Sequence, residues 1–331
     1  MLDKILVLLD GSALAQRVLP HARAFANTFA ARITLLRVLE TKAYQDGRTQ
    51  VDPVNWHLRK VEAQSYLNNL RQNWEGTEPP RVVLDEGTAV DRIIHYAQTE
   101  EPNLVMLTTH GQSGLSPSAI SSVAYKIIHL LPTSFMLVRA NQLQKSDEKV
   151  QYQRIMVPLD GSRRAECVLP FASRLAVKHK AQLFLVHVPT QGEMIQGRPL
   201  SPPEDRKLKE LYERNKSEAD LYLREFVVQE DVSVSTHLLT HPQTTDALLD
   251  FTHTEQIDLV MMCAHGQSGA QNRLYGSLIP NFIHYSPAAL FVLQDLSAEQ
   301  IKTFKTQSTA SDTGDLNRKI AYAQPKDWKP S

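Results

Sequence analysis

Short runs of valine, isoleucine and leucine alternate along the chain with longer segments of helical periodicity. In the first half the apolar runs occupy residues 5–9, 33–38, 81–84, 104–109 and 135–138. These runs are continuously apolar rather than alternating, which is typical of strands covered on both faces of a sheet. After Ser12, a good helix N-cap, apolar residues recur at helical spacing up to Phe29, and they do so again from Ile120 to Ile128. This alternation predicts an α/β fold with a doubly wound parallel sheet flanked by helices.

The second half of the chain repeats the first. Residues 155–162 echo residues 5–12 at an offset of 150, and His-Gly-Gln-Ser-Gly occurs at residues 110–114 and 265–269, an offset of 155. A repeat of this length predicts two tandem Rossmann-like domains, each with a five-stranded parallel sheet. The predicted boundaries are residues 1–140 for the first domain, 141–153 for a polar linker and 154–295 for the second domain. Residues 296–331 lack apolar periodicity and are expected to form a flexible polar tail.

Composition narrows the classes of function. The 331 residues include 36 Lys and Arg against 36 Asp and Glu, so the chain lacks the basic excess typical of proteins that bind nucleic acid or anionic membranes. No apolar run approaches the roughly 18 residues that span a bilayer. The two cysteines, Cys167 and Cys263, fit neither a disulfide framework nor a zinc site, and we expect both to be small core residues. These features predict a protein of the reducing cytoplasm.

Glycine is concentrated at the ends of the predicted strands. Seven of the 13 glycines lie there, where the backbone must turn or approach a ligand closely. In the second half, a spacer of six residues separates Gly266 and Gly269 from Gly276 and Ser277, and an amphipathic helix follows. The N–H groups of such a loop and the positive end of the helix are suited to a polyphosphate. The chain contains neither a Walker A sequence nor Gly-x-Gly-x-x-Gly, so neither a P-loop NTPase nor a common dinucleotide site is indicated.

On these repeated motifs, both halves resemble domains of the universal stress protein family, over about residues 4–138 and 154–293. In nucleotide-binding members of that family, ATP is surrounded by a first-strand Asp, the end of the second strand, the Gly-x-x-Gly loop after strand four and the following Gly-Ser. The resemblance therefore implies ATP as the ligand, with or without Mg²⁺. The implied second-half residues are Pro158, Asp160, Val188, Gly266, Gly269, Gly276 and Ser277. The implied first-half residues are Asp10, Val38, Gly111, Gly114 and Ser122.

Two features depart from the family pattern, and the first of them distinguishes the halves. Ser121 stands in the first half where Gly276 stands in the second, and the spacer within the motif has six residues where the best-known family pattern has nine. If the backbone at Ser121 needs a positive φ, serine would be strained there. We therefore expect the second half to bind ATP more tightly than the first.

Several side chains near the motifs have simpler interpretations. Asp10 and Asp160 either contact the ligand or shape a turn into the next helix. His110 and His265 have no partner acid at a recognisable spacing, so we expect them to shape the turn or to contact solvent rather than to catalyse. His129 and His284 lie near helix ends, where a cation would complement the helix dipole.

Three classes of function remain open. The first is a nucleotide-responsive regulatory or stress-protective protein, which the resemblance implies, together with pairing of the two fifth strands in an internal pseudo-dimer. The second is an enzyme that hydrolyses ATP slowly, although the sequence indicates no catalytic base and no metal ligands. The third is an interaction or dimerisation module that binds no nucleotide. Neither the protein partner nor a homodimer of whole chains can be predicted from the residues.

Overall fold

In the computed structural model, the residues described are 2–40, 52–76, 78–111, 120–140, 149–189, 214, 217–218, 221–223, 232–267, 269, 274–296 and 300. The first half contains β1 (Lys4–Leu9), α1 (Ala13–Gln16), α2 (Val18–Phe29), β2 (Arg32–Leu39), α3 (Pro53–Gln72), β3 (Arg81–Glu86), α4 (Ala89–Glu100), β4 (Leu104–Thr108), α5 (Ser122–Leu130) and β5 (Ser134–Val138). The second half contains β6 (Arg154–Leu159), α6 (Arg163–Glu166), α7 (Leu169–His179), β7 (Gln182–His187), β8 (Ser233–Leu238), α8 (Thr244–Thr254), β9 (Leu259–Cys263), α9 (Leu278–Tyr285) and β10 (Ala289–Leu293).

All ten strands form one sheet, in the order β3-β2-β1-β4-β5-β10-β9-β6-β7-β8. Within each half the five strands are parallel. The halves meet where β5 pairs antiparallel with β10, with Phe291 opposite Met136. The structure thus confirms the tandem Rossmann-like fold and contains the expected pairing of the fifth strands.

The strands nearest the junction are the most deeply buried. Every residue of β4, β5 and β9 is buried, because helices cover both faces of a parallel sheet. The predicted linker contributes to this core at Tyr152, which is 2% exposed. Its hydroxyl lies 2.7 Å from Nδ1 of His21, and its ring is 5.1 Å from that of His179. Residues 1–295 cluster as one compact unit, and the predicted domain boundaries within it stay a prediction. The predicted tail lies almost wholly outside the described residues.

The first helical segment of each half is divided. Ser12 caps α1 as predicted, because its Oγ accepts a hydrogen bond from the N–H of Ala15 at 3.0 Å. The helical periodicity after Ser12 does not form one helix, however, since α1 ends at Gln16 and α2 begins at Val18. Ser162 caps α6 in the same way, through the N–H of Ala165 at 3.2 Å. Each short helix carries the chain from a strand end to the longer helix that covers the sheet.

Two side chains form hydrogen bonds across the junction between the halves, each to carbonyls near a helix C-terminus. Arg139 follows β5 and is 6% exposed. Its guanidinium donates to the carbonyl of Ile283 at 2.7 Å and to that of Phe282, near the end of α9. Tyr275 does the reverse, because its hydroxyl donates to the carbonyl of Ile128 at 2.9 Å near the end of α5. Carbonyls at helix C-termini lack partners within the helix, so each of these contacts satisfies acceptors across the junction.

Candidate functional site

Asp160 joins the first strand of the second half to its glycine loop. It follows β6, and its Oδ1 accepts hydrogen bonds from the N–H of Ser162 at 3.0 Å and from the Ser162 hydroxyl at 2.6 Å. Its Oδ2 accepts a third from the N–H of Gln267 at 2.6 Å. Asp160 therefore shapes the turn before α6 and also positions the loop after β9. In the first half, Oδ1 of Asp10 accepts from the N–H of Ser12 at 2.9 Å.

The first glycine of each loop packs directly against this carboxylate. A Cβ atom placed on Gly266 would lie 2.0 Å from Oδ2 of Asp160, and one placed on Gly111 would lie 2.0 Å from Oδ2 of Asp10. Real Cβ atoms do not approach that closely, so only glycine fits at either position. The structure thus brings together the predicted Asp and the first predicted Gly in both halves.

The second-half loop makes a tight turn and returns to the strand it left. The N–H of Gly269 donates to the carbonyl of Gly266 at 3.0 Å. Gly269 has φ +68°, so the turn is left-handed, and no heavy atom of a described residue lies within 4 Å of its Cβ position. The N–H of Gly276 then donates to the carbonyl of Ala264 at 2.7 Å. The start of the loop, its end and the first turn of α9 consequently lie at the same strand end.

The serines after the two loops play different parts. Ser121 caps α5, because its Oγ accepts from the N–H of Ala124 at 3.3 Å, and its backbone has φ −68°. Ser277 stands at the start of α9 without a side-chain capping bond and is exposed. Gly276 is not left-handed either, so the expectation of strain at Ser121 is wrong: the position requires no positive φ. The N–H of Ser121 donates to the carbonyl of Thr109 at 2.7 Å, and the N–H of Gly276 donates to the carbonyl of Ala264 at the same distance.

The two crevices differ beside the first strand. In the first half, the guanidinium carbon of Arg37 lies 2.6 Å from the Cβ position of Gly11 and 5.1 Å from the ring centroid of Tyr66. In the second half, His187 replaces Arg37 in the strand register, and no heavy atom of a described residue lies within 4 Å of the Cβ position of Gly161. Among the described residues, a cationic side chain therefore approaches the first-half glycine, and none approaches its second-half counterpart.

Strand register places the remaining predicted residues. Leu159 is level with His187, so Val188 follows β7 beside Asp160. Likewise Leu9 is level with Arg37, which places Val38 beside Asp10. Pro158 lies within β6, two residues before Asp160. Ser122 begins α5 and is exposed, whereas Gly114 lies outside the described residues.

The motif histidines are buried, and one of them has an acid partner. His110 and His265 are 7% and 3% exposed, so the expectation of solvent contact is wrong for both. Nδ1 of His265 lies 2.7 Å from Oδ1 of Asp295, which follows β10, and Arg164 forms an ion pair with the same carboxylate at 3.3 Å. This Arg164–Asp295–His265 cluster ties α6, the glycine loop and β10 together. Sequence reasoning missed this cluster, because 30 residues separate Asp295 from His265 and Asp295 lies outside both copies of the His-Gly-Gln-Ser-Gly motif.

The helix-end histidines are not the cationic caps that their positions suggested. Burial is the main cause that lowers the pKa of His129 and of His284, and the cations nearby lower that of His284 further. His129 stacks on Tyr125, with ring centroids 4.0 Å apart, and its Nδ1 lies 2.9 Å from the Tyr125 carbonyl oxygen. Both imidazoles are therefore packing groups in the junction, biased toward the neutral form.

The cysteines divide between core and surface. Cys263 ends β9 and is buried, and burial raises the pKa of its thiol. Cys167 is exposed, so the expectation that both are core residues is wrong for Cys167. In the part of the chain that the structure describes, no helix is long and apolar enough to cross a membrane.

Comparison with known proteins gives a family match over most of the chain. The sequence model of the universal stress protein family matches residues 1–139 and 151–294. Among solved structures, the chain is similar to a universal stress protein from Archaeoglobus fulgidus DSM 4304, with 18% identity and a TM-score of 0.60 over 89% of this chain and 99% of that one. A functionally unknown protein from Pseudomonas aeruginosa PAO1 is 14% identical, with a TM-score of 0.61 over 94% and 98% of the two chains.

A third solved structure, of a universal stress protein in complex with cAMP, is 19% identical and covers 44% of this chain and all of its own, with a TM-score of 0.30. No curated protein matches the chain. At these identities, the structural likenesses show the fold alone.

Proposed function

The chain belongs to the universal stress protein family, and from this premise we propose that it is an ATP-binding regulatory or stress-protective protein whose main nucleotide site is the second-half crevice. ATP occupancy would change the surface that the paired halves present to a partner. We take residues 1–140 and 154–295 as the two domains of the chain.

One observation favours the choice of site: the start of α9 has no side-chain cap. The Ser277 hydroxyl makes no capping bond, although the described loop N–H groups of Gln267, Gly269 and Gly276 already have acceptors. The first N–H groups of a helix lack intrahelical acceptors and attract anions. In the first half, by contrast, Ser121 already satisfies one of those N–H groups.

Within this site, each group has a definite task. The first N–H groups of α9 would hold the phosphates, and the Ser277 hydroxyl would add a donor. Val188 and Pro158 flank Asp160 in the strand register and would border the base and the ribose. Because the Asp160 carboxylate already accepts three hydrogen bonds, we expect any Mg²⁺ that accompanies ATP to be held mainly by phosphate and water oxygens, as Mg²⁺ is in many nucleotide sites.

Replacing Gly269 by Val tests the site. Valine disfavours a φ of +68° and would put a branched side chain on the turn. We expect ATP affinity, measured by isothermal titration calorimetry, to fall at least tenfold. The matched control is Gly87→Val, at another positive φ of +134° after β3, which should leave ATP affinity unchanged. Unaltered binding by a folded Gly269→Val protein would refute the placement of the phosphates.

The first half is better suited to an interaction role than to ATP. Its crevice contains the Arg37 guanidinium beside Gly11, and its helix start is capped. Titrating ATP should therefore give one strong site per chain, and Asp160→Ala should weaken that site whereas Asp10→Ala should not. Two equal sites would contradict this ranking. Efficient hydrolysis is not expected, since His265 is buried against Asp295; a multiple-turnover phosphate-release assay with Mg²⁺ measures it.

A further inference from the structure

A cavity of about 470 Å³ lies in the first half, at the amino ends of its strands. Residues at the starts of β1, β2 and β3 line it, together with the end of α4. The glycine loops lie at the opposite, carboxyl ends of these strands, so this cavity is separate from the nucleotide crevice. Its volume is within the range of roughly 300–1,000 Å³ typical of small-molecule sites.

The cavity combines an apolar floor with a charged rim. Leu6 is level with Thr34 in the strand register and so lies on the same face of the sheet, and it is a buried apolar residue of the lining. The rim contains three basic and two acidic residues: Lys4, Arg32, Arg81, Glu78 and Glu100. The rim therefore has an excess of one positive charge.

Contacts within the rim leave one cation uncommitted. Arg81 forms an ion pair with Glu100 at 3.1 Å, and the ammonium of Lys4 donates to the Glu100 carbonyl at 3.0 Å. The exposed Arg32 side chain makes no ion pair with any residue that the structure describes. Arg32 is thus the rim group most available to an anion.

The second half shows that this opening is not a necessary consequence of the fold. The strand register and the repeat place Phe184 where the first half has Thr34, and Phe251 where it has Tyr96. These two rings pack 6.1 Å apart, and the Arg154 guanidinium lies over Phe184 at 4.5 Å. His237 stacks on Phe184 as well, at 5.5 Å. Side chains of the second half thus fill the space that Thr34 leaves open in the first.

Tyr96 belongs to the lining of the cavity and has a buried hydroxyl. Its hydroxyl oxygen is inaccessible to solvent and makes no hydrogen bond of good geometry to a described residue, although Thr34 is near enough to lower its pKa slightly against the larger effect of burial, which raises it. A buried hydroxyl without a well-aligned partner costs free energy. Because solvent cannot reach this oxygen, Tyr96 lines the cavity with its other atoms.

From this lining we propose that the cavity binds a small amphiphilic anion. An apolar ring or branched body would cover Leu6 and Thr34, and a carboxylate, sulfonate or phosphate group would face Arg32 and Lys4. The site is independent of ATP binding in the second half.

The test uses two fluorescent probes that share a ring system. 1-Anilinonaphthalene-8-sulfonate carries an anionic group, and N-phenyl-1-naphthylamine lacks it. Each is titrated into the full chain with saturating ATP, so that the nucleotide crevice is occupied. Three variants are compared with the natural protein: Thr34→Phe, which copies the second half, Thr34→Val, which preserves side-chain volume, and Arg32→Glu, which reverses an exposed charge.

We expect one saturable site for the anionic probe. Thr34→Phe should weaken both probes at least tenfold, and Thr34→Val should leave both within about twofold. Arg32→Glu should weaken the anionic probe at least fivefold and spare the neutral one. Because Arg32 is exposed, that variant keeps the test available even if Thr34→Phe fails to fold. The proposal is overturned if no saturable site is found, if Thr34→Phe binds as the natural protein does, or if Arg32→Glu affects both probes equally.

Discussion

At the scale of single residues, the repeat places Asn103 and Asp258 in the same role with different chemistry. Oδ1 of Asn103 accepts from the N–H groups of Asp3 and Lys4, both at 2.9 Å. Oδ2 of Asp258 accepts from those of Gln153 at 2.6 Å and Arg154 at 3.2 Å. Burial raises the pKa of Asp258 to about 6, against the opposing effect of these bonds. An amide makes the same two contacts without burying a charge.

Asp258→Asn should therefore stabilise the protein above pH 6. Because the folded pKa is higher than the unfolded one, the folded state binds the extra proton between about pH 4 and pH 6, and stability decreases as pH rises through that window. Above it the penalty is complete, so we expect a gain of roughly 1–3 kcal/mol at pH 7.5 that vanishes near pH 4. Urea unfolding at both pH values measures it.

The reciprocal variant Asn103→Asp is the control, and it should be destabilising at pH 7.5 and nearly neutral at pH 4. A loss of stability in Asp258→Asn at pH 7.5 would show that the carboxylate is preferred there for its charge.

At the scale of elements, the starts of α5 and α9 separate capping from binding. Ser121→Ala removes a capping bond and should lower the free energy of unfolding by about 1 kcal/mol. Ser277 makes no such bond, so Ser277→Ala should change stability by only a few tenths of a kcal/mol but weaken ATP several-fold. Chemical denaturation and calorimetry on the same two variants give both readouts. A large stability loss in Ser277→Ala with unchanged ATP affinity would reverse the assignment.

Elements whose signal is local could be predicted from the sequence. Continuous apolar runs located the first-half strands to within two residues. The signal is strongest for β1, β4 and β5, which lie inside the sheet and are covered on both faces, and weaker for β2 and β3, which include polar residues. Ser12 was identifiable as a cap because its signal is also local: it is a serine directly before a helical pattern. The break between α1 and α2 has no such signal, since apolar spacing continues across Arg17. The partner of His265 was also inaccessible, because Asp295 reaches it only after β10 has paired with β9.

At the scale of the whole molecule, the halves are coupled by β5, β10 and the buried Arg139. Desolvation lowers the pKa of Arg139 to about 10, so it is still charged at neutral pH and complements the negative end of α9. Arg139→Met should leave the Ile283 carbonyl without this donor, at a cost of roughly 1–3 kcal/mol for a buried unsatisfied group, whereas the Phe282 carbonyl still accepts from the N–H of Ser286 at 3.2 Å. We expect differential scanning calorimetry to show two transitions for this variant and one for the natural protein.

The control for Arg139→Met is Arg163→Met, an exposed arginine of the second half, which should keep a single transition. One unshifted transition in Arg139→Met would mean that strand pairing alone couples the halves.

The antiparallel pairing of β5 with β10 makes the two rims of the sheet, at which the strands end, different from each other. Strands β1 to β5 point one way and β6 to β10 the other, so the carboxyl ends of the second half share a rim of the sheet with the amino ends of the first. The proposed ATP crevice and the proposed anion cavity consequently lie on one rim of the sheet, six strand steps or roughly 30 Å apart along it, while the crevice beside Asp10 lies on the other. A binding partner that followed the first rim would contact both openings.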